Sequence, residues 1–346
     1  MLPDPTFRPS GRPSLAFRYD FRAPAFGTST ADLLGAALDQ IAYAESRGME
    51  RVQVSEHHHA EDGYCPAPFV AAAAFAARTR HATIRLSALV LPLHDPLRAA
   101  EDLAVVDQLS RGRLEVTVAA GYRPVEFEMF GIPYAERWSR LTAGIRILKR
   151  AWSGEPVTVD GRSVLVRPRP YRPGGPRILM GGAGPRAARV AAELADGFDP
   201  AIPTLVPEYV AACRDLGREP GALLPKVGPF FVHVSTDPER DKARLAPHVR
   251  HELAMYSAWS AKAGQFGSHP DVEIDAVWKL GSHLVLTPPE CVALIDSLDP
   301  AGTFVLHPLA GGLPVDAANE SVRLFCDDVI PSLGLQPAGP NQRNET

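Results

Sequence analysis

The chain has 346 residues, 45% of them hydrophobic and 22% charged, a balance that supplies a large apolar core and excludes a small stapled module or a mainly disordered protein. A net charge of −4 leaves no global positive field, so neither a nucleic-acid partner nor a membrane partner is expected. Four cysteines, Cys65, Cys213, Cys291 and Cys326, lack any paired spacing, which argues against a zinc ribbon, a redox dithiol or a disulfide framework and points to a reducing cytoplasm.

Residues 1–12 hold Pro and Arg and no apolar run, so they read as a flexible segment without a signal peptide or anchor. A first strand is expected at 15–19, an amphipathic helix at 30–47 and a second strand at 51–55. A helix at 66–80, a strand at 84–91, a helix at 96–109 with Asp95 as N-cap, and a strand at 114–119 follow. The next helix, about 136–152, leads into two alternating runs around Asp160-Gly161, which read as an inserted hairpin. Later expectations are strands at 177–180, 197–202, 227–234 and 303–306, with helices at 185–195, 207–216 and 314–333. Eight strands alternating with helices favour an α/β fold, a closed (β/α)8 TIM barrel with insertions, over an open doubly wound sheet. Residues 13–335 then form one barrel domain, with an insertion at about 237–289 placed to act as a lid and a disordered tail at 336–346.

In such a barrel reactive groups lie at the C-terminal ends of strands. Ser110-Arg111-Gly112-Arg113 precedes a strand, on the opposite face, and reads as a structural turn. Glu56-His57-His58-His59 follows the second strand, where alternation puts His57 and His59 on one side and Glu56 and His58 on the other. These residues suit a general acid/base or a hydrogen-bonding pair, or metal ligands if His94 and His307 converge on them. Gly181-Gly182-Ala183-Gly184-Pro185-Arg186 joins a strand to a helix and offers free backbone N–H groups beside a guanidinium, a phosphate cradle. Ala119-Ala120-Gly121-Tyr122-Arg123 follows the fourth strand, and its small residues let a flat ring approach the backbone. Phe26, Tyr64, Tyr122, Phe127 and Trp259 are candidates for an apolar pocket.

Several of these stretches together resemble the bacterial luciferase-like flavin-dependent oxidoreductases. Ser55-Glu56-His57-His58 is similar to that family's Glu-His-His segment, and the run from Leu91 through Asp95-Pro96 to Arg113 is the longest recognisable stretch. Ala120-Gly121-Tyr122, Glu126-Phe127, Phe130-Gly131, Gly181-Gly182-Ala183 and Ala195-Asp196-Gly197 follow in register, and the resemblance is weakest between 237 and 287. It implies a flavin ring at the barrel mouth, with His57 as active-site histidine beside Glu56, and a non-prolyl cis peptide between Ser87 and Ala88 behind the ring. The phosphate would lie at Gly181, Gly182, Ala183, Gly184 and Arg186. Ala119 and Ala120 stand where luciferase has a cysteine and a phosphate-binding arginine, which argues against light emission and leaves Arg186 or Arg123 to supply the cation. The implied activity is a monooxygenase that uses molecular oxygen and reduced FMN from a separate flavin reductase to oxidise a small organic substrate. The alternative is hydride transfer with an 8-hydroxy-5-deazaflavin coenzyme. A metal-dependent hydrolase using His57 and His59, and a flavin-binding protein without catalysis, are the readings from other classes. The family also implies a homodimer, built on the alanine-rich helix at 66–80 and the next.

Overall fold

The computed structural model describes residues 11–263 and 273–335, so the expectations for the first ten residues, for the tail at 336–346 and for part of the insertion lie outside the described residues. Elements follow in the expected alternation: β1 (Ser14–Tyr19), α1 (Thr30–Ser46), β2 (Arg51–Val54), α2 (Pro68–Arg78), β3 (Thr83–Leu89), α3 (Pro96–Ser110) and β4 (Leu114–Val118). Next come α4 (Pro124–Met129), α5 (Arg137–Ala151), β5 (Val157–Val159), β6 (Arg162–Val164), β7 (Arg177–Gly182), α6 (Pro185–Leu194), β8 (Gly197–Pro200) and α7 (Val206–Asp215). Asp95 caps α3 by accepting from the Leu97 and Arg98 amides. β5 and β6 pair antiparallel about Asp160 (φ 47°) and Gly161 (φ 74°), the two positive values that a tight hairpin turn demands.

The remaining elements are β9 (Ala222–Leu223), β10 (Lys226–Val227), β11 (Phe231–Val234), α8 (Pro238–Ala263), α9 (Ile274–Lys279), β12 (His283–Leu286), α10 (Pro288–Asp296), β13 (Thr303–Leu306) and α11 (Val315–Leu324). The main sheet is parallel throughout, in the order β10-β13-β1-β2-β3-β4-β7-β8-β9. Its two ends, β9 and β10, are separated only by Leu224 and Pro225, so the sheet returns on itself and closes an α/β barrel. The seventh stave is thus a broken one. This corrects the expected single strand at 227–234: Gly228 (φ 85°) and Pro229 interrupt it, and Phe231–Val234 instead pairs with β12 in a separate two-stranded sheet. The six-residue α4 escapes sequence periodicity because it is under two turns long.

Outward-facing Phe17, Tyr19, Val52, Val54, Ile84, Leu86, Val116 and Met180 are buried in one continuous cluster with helix residues such as Leu33, Ile41, Phe75 and Leu103. Alternate positions turn inward, and many of these are polar, among them Arg18, Arg51, Gln53, Arg85, Glu115 and Thr117. Glu115 of β4 receives Arg51 of β2 at 3.1 Å, Arg85 of β3 at 2.9 Å and Arg177 of β7 at 3.5 Å, a layer spanning non-adjacent staves. Burial alone would raise the Glu115 carboxyl, but the three guanidiniums overcome it and hold the pKa at about 2. Removing one partner from such a buried cluster typically costs about 3–5 kcal/mol. The Ser110–Arg113 turn is structural, as expected. Arg111 closes α3 in the left-handed region (φ 54°), and Arg113 donates to the Ser110, Ala82 and Thr79 carbonyls.

Candidate active site

His57 leaves the end of β2 towards the mouth. Its Nδ1 lies 2.8 Å from Glu126 Oε1, which also accepts from the His58 amide at 3.1 Å and from Arg123 Nη1 at 2.9 Å. With two fixed donors already on that oxygen, the carboxylate acts as an acceptor, so His57 carries its proton on Nδ1 and presents a bare Nε2. Tyr122 Oη is 3.5 Å from that Nε2. Burial pulls the His57 pKa below 6.5, the Glu126 bond opposes this, and the Arg123 and Arg22 charges add to the lowering. The ring is therefore neutral at physiological pH. Tyr64 and Trp259 pack on it with centroids at 4.8 Å.

Glu56 sits elsewhere than the expectation of a catalytic partner placed it. It is buried on the other side of the strand, where Oε1 accepts from His58 Nε2 (2.8 Å) and His94 Nε2 (2.7 Å) and Oε2 from the Val90 amide (2.5 Å). Burial would raise its pKa, and the two histidine bonds overcome that to hold it at about 2. It fastens the turn after β3 behind the mouth. Alternation thus holds for Glu56, His57 and His58, but His59 (φ 49°) leaves the strand and is exposed.

A second cluster lies at the ends of β1 and β13 under α8. His307 Nε2 is 3.3 Å from Asp20 and its Nδ1 3.3 Å from Glu252, all three buried. Burial lowers the His307 pKa, but Asp20 and Glu252 outweigh it and push the value to about 8. A folded-state pKa above the ordinary 6.5 means that this contribution is complete below pH 6.5 and is lost as pH rises through 8. Urea unfolding should accordingly show about 2 kcal/mol less stability at pH 9 than at pH 6. In His307→Gln that difference should shrink; an unchanged difference would assign it to other groups.

The histidines considered as a metal set, His57, His59, His94 and His307, do not converge. His57 faces Glu126, His94 faces Glu56, His307 faces Asp20 and Glu252, and His59 faces solvent. Among the described residues the groups with metal-ligand spacing are Glu56, His58 and His94, and Asp20, Glu252 and His307. Neither includes His57 or His59.

Across the mouth, β3, β4 and β7 end in small residues. The Ser87–Ala88 peptide is cis, as the resemblance implied. Ser87 Oγ lies 3.4 Å from Asp199 Oδ2 and its carbonyl accepts from Ser55 Oγ at 2.8 Å. Ala88, Ala119 and Gly121 are partly open, and Gly181 lies beside them. A Cβ on Gly121 (φ 75°) would meet Val90 Cγ1 at 2.8 Å, on Gly181 Thr117 Cγ2 at 2.8 Å, and on Gly182 Ala187 Cβ at 2.5 Å. At Gly184, the residue before α6, it would meet nothing within 4 Å. No side chain caps α6, Ala183 and Arg186 are exposed, and the Arg186 guanidinium lies 4.7 Å from the Trp138 ring centroid. These free amides and this cation suit a phosphate. Arg123 does not share that task. It is buried against Glu126, the His58 carbonyl (2.7 Å) and the Trp259 ring (3.8 Å).

Of the aromatic candidates, Tyr64, Tyr122 and Trp259 meet around His57, whereas Phe127 is core beneath Tyr134 and Phe26 is 57% exposed beside His248 and His251. Sequence reasoning missed Asp20, Arg22, Glu252 and Tyr256 and gave Glu126 no role. Glu252, Tyr256 and Trp259 follow a helical i, i+4, i+7 spacing that marks one face of α8. Arg123 and Glu126 form an i, i+3 pair on the short α4.

The family model of luciferase-like monooxygenases matches residues 20–279. Over 250 residues the chain is 29% identical to the F420-dependent glucose-6-phosphate dehydrogenase of Nakamurella multipartita, covering 67% of this chain and 70% of that one. It is 29% identical over 140 residues to the oxygenase component of the flavin-dependent trigonelline monooxygenase of Acinetobacter baylyi, covering 37% and 39%. Other curated relatives align over 40% and 48% of their own length, so the match spans about half of them or less. The solved structure of monooxygenase RslO1 from Streptomyces bottropensis has a TM-score of 0.76 at 26% identity, covering 92% of this chain and 99% of that one. The matched residues run from Asp20 past Trp259 and so contain the entire His57 site, and the chain belongs to the luciferase-like monooxygenase family.

Proposed function

We propose that this protein is a flavin-dependent monooxygenase that combines reduced FMN, molecular oxygen and a small organic substrate to give oxidised flavin, oxygenated substrate and water. The observation that carries the reading is His57: its Nδ1 is held by Glu126, and its unprotonated Nε2, 3.5 Å from Tyr122 Oη, faces a mouth walled by Tyr64, Tyr122 and Trp259. Bound reduced flavin supplies the electrons that activate oxygen. The chain does the rest. Ala88, Ala119 and Gly121, small and partly open, would let a flat ring approach the backbone, and Tyr122 lies beside them. The loop Gly182-Ala183-Gly184, the uncapped start of α6 and Arg186 would hold the phosphate. His57 Nε2 accepts a proton at the mouth, Glu126 keeps the ring oriented, and Glu56 fastens the backbone behind. The aromatic wall excludes water from the reacting centre.

The flavin would be reduced by a separate reductase, as the oxygenase-component name of the Acinetobacter relative suggests for that protein. The second reading is hydride transfer with an 8-hydroxy-5-deazaflavin, favoured by the broader coverage of the F420-dependent relative. Mixing anaerobic protein and reduced FMN with oxygenated buffer separates them. The monooxygenase reading expects reoxidation slower than that of free reduced FMN. Reoxidation as fast as in buffer, with tight binding of a deazaflavin, transfers the assignment to hydride transfer.

The free, buried state of all four cysteines supports a reducing compartment such as the cytoplasm. No helix among the described residues is long and apolar enough to cross a membrane. A homodimer is expected through α2 and α3, where Val70 is 71%, Val105 45% and Leu109 51% exposed. Light scattering at micromolar concentration should give twice the mass of the chain, and Val70→Glu should lower it. A single-chain mass for the wild type would rule this interface out.

A further inference from the structure

The two halves of the mouth differ in chemistry. The half formed by β3, β4 and β7 is small and uncharged, and the proposed function assigns it to the flavin. The half formed by β1, β2 and the face of α8 is aromatic and densely charged, with Arg22 and Arg123 set among Asp20, Asp62, Glu126 and Glu252, and Arg22 is its centre. Arg22 is fully buried. Its Nη1 bonds Asp62, its Nε lies 3.6 Å from Asp20 Oδ2 without a hydrogen bond, and its Nη2 has no acceptor among the described residues. The other neighbours of the guanidinium are ring faces: Tyr64 and Tyr256 at 4.7 Å and Trp259 at 4.4 Å. A buried N–H without an acceptor typically costs about 1–3 kcal/mol, more on a charged group, and three aromatic faces supply no strong acceptor in its place.

Trp259 adds a second, independent observation. Its indole has the Arg22 guanidinium at 4.4 Å, the Arg123 guanidinium at 3.8 Å and the His57 ring at 4.8 Å. Two cations held against one electron-rich ring make an aromatic wall beside His57 that suits a further flat ring. The missing partner is an anionic oxygen at the level of Arg22 Nη2. A flat ring carrying such an oxygen satisfies both features at once and lies beside His57 Nε2.

We propose that this half of the mouth is the substrate pocket and that the substrate is a planar aromatic or conjugated compound bearing a carboxylate or phenolate, which Arg22 receives while the ring packs on Trp259 beside His57. The placement of the flavin in the opposite half rests on the proposed function; the anion site rests on Arg22 and its neighbours. Arg22 is in this sense the residue that determines specificity, since a ring without an acceptor oxygen would leave its Nη2 unsatisfied and an anionic oxygen satisfies it most strongly.

Calorimetric titration of the full chain with salicylate and with salicylamide tests this, because the two probes share a ring and differ in charge. Salicylate is expected to bind about tenfold or more tightly. Arg22→Gln should bring the ratio towards one, and Arg22→Lys should keep part of it. Arg22→Gln also removes one of the two partners of Asp62, the other being His251, so Trp259→Leu provides a variant with the Arg22–Asp62 pair intact: it should weaken both probes and preserve their ratio. FMN is titrated in parallel and should bind together with salicylate. Equal binding of the two probes to the wild type, no binding of salicylate at millimolar concentration, a ratio that persists in folded Arg22→Gln, or displacement of salicylate by FMN each overturns the proposal. Failure of FMN to bind with the probe ratio intact counts against the flavin reading and leaves the anion pocket standing.

Discussion

His57→Ala is expected to lower turnover of any substrate the wild type oxidises by about 10²–10⁴-fold, the usual loss when a positioned proton-transfer group is removed. Flavin affinity and the circular dichroism spectrum should stay close to wild type, because the proposed phosphate contacts lie on β7 and α6 and not on β2. The sign of the pH effect follows from the environment of the ring. Burial and the nearby Arg22 and Arg123 charges lower its pKa below 6.5 despite the Glu126 bond, so the neutral, accepting form prevails at and above neutrality. Wild-type activity should therefore fall only as pH drops below that ordinary value, and this acid limb should vanish from the residual activity of His57→Ala. Equal turnover in variant and wild type would remove His57 from the chemistry.

Gly182→Asp is expected to weaken FMN binding by about hundredfold, the equivalent of losing one or two charge-assisted hydrogen bonds. A Cβ at this position would lie 2.5 Å from Ala187 Cβ, and the added carboxylate would place an anion beside the free amides at the start of α6. Gly184→Ala is the control, since a Cβ there meets nothing within 4 Å and the backbone at φ −147° accepts any residue. Its affinity should stay within a few-fold of wild type. Riboflavin, which lacks the phosphate, separates a local charge effect from a displaced helix: its affinity should change far less than that of FMN in Gly182→Asp. Unchanged FMN affinity in this variant would mean that the phosphate sits elsewhere.

The strands and helices that needed only local information are where the sequence puts them. Period-two runs such as 15–19 and 114–119 became β1 and β4, and the Asp95-Pro96 start of α3 is a cap that the two residue types specify by themselves. Asp160-Gly161 likewise specifies its turn, because both positions need positive φ. The alternation at Glu56, His57 and His58 was enough to send His57 to the mouth, and the family resemblance carried the cis bond at Ser87–Ala88.

Other features depend on residues that meet only when the barrel closes. The break between β9 and β10 follows from pairing with β8 on one side and β13 on the other, partners that a local run such as 227–234 does not encode. Glu56 and Arg123 looked like site residues because both types are chemically competent. Packing decided otherwise, giving Glu56 two histidines and a backbone amide and giving Arg123 a carboxylate, two carbonyls and an indole. Arg22 showed no motif at all, since its surroundings come from Asp62, Tyr64, Tyr256 and Trp259, the last two more than 200 positions away on α8. The sequence by itself thus determined the alternation of strands and helices, the closed barrel class and the histidine at the strand end, because those follow from periodicity, capping and spacing along the chain. Only the tertiary structure decided which charges are paired, which are buried without a partner and which rings surround them, because burial and hydrogen-bond geometry are set by contacts between distant segments.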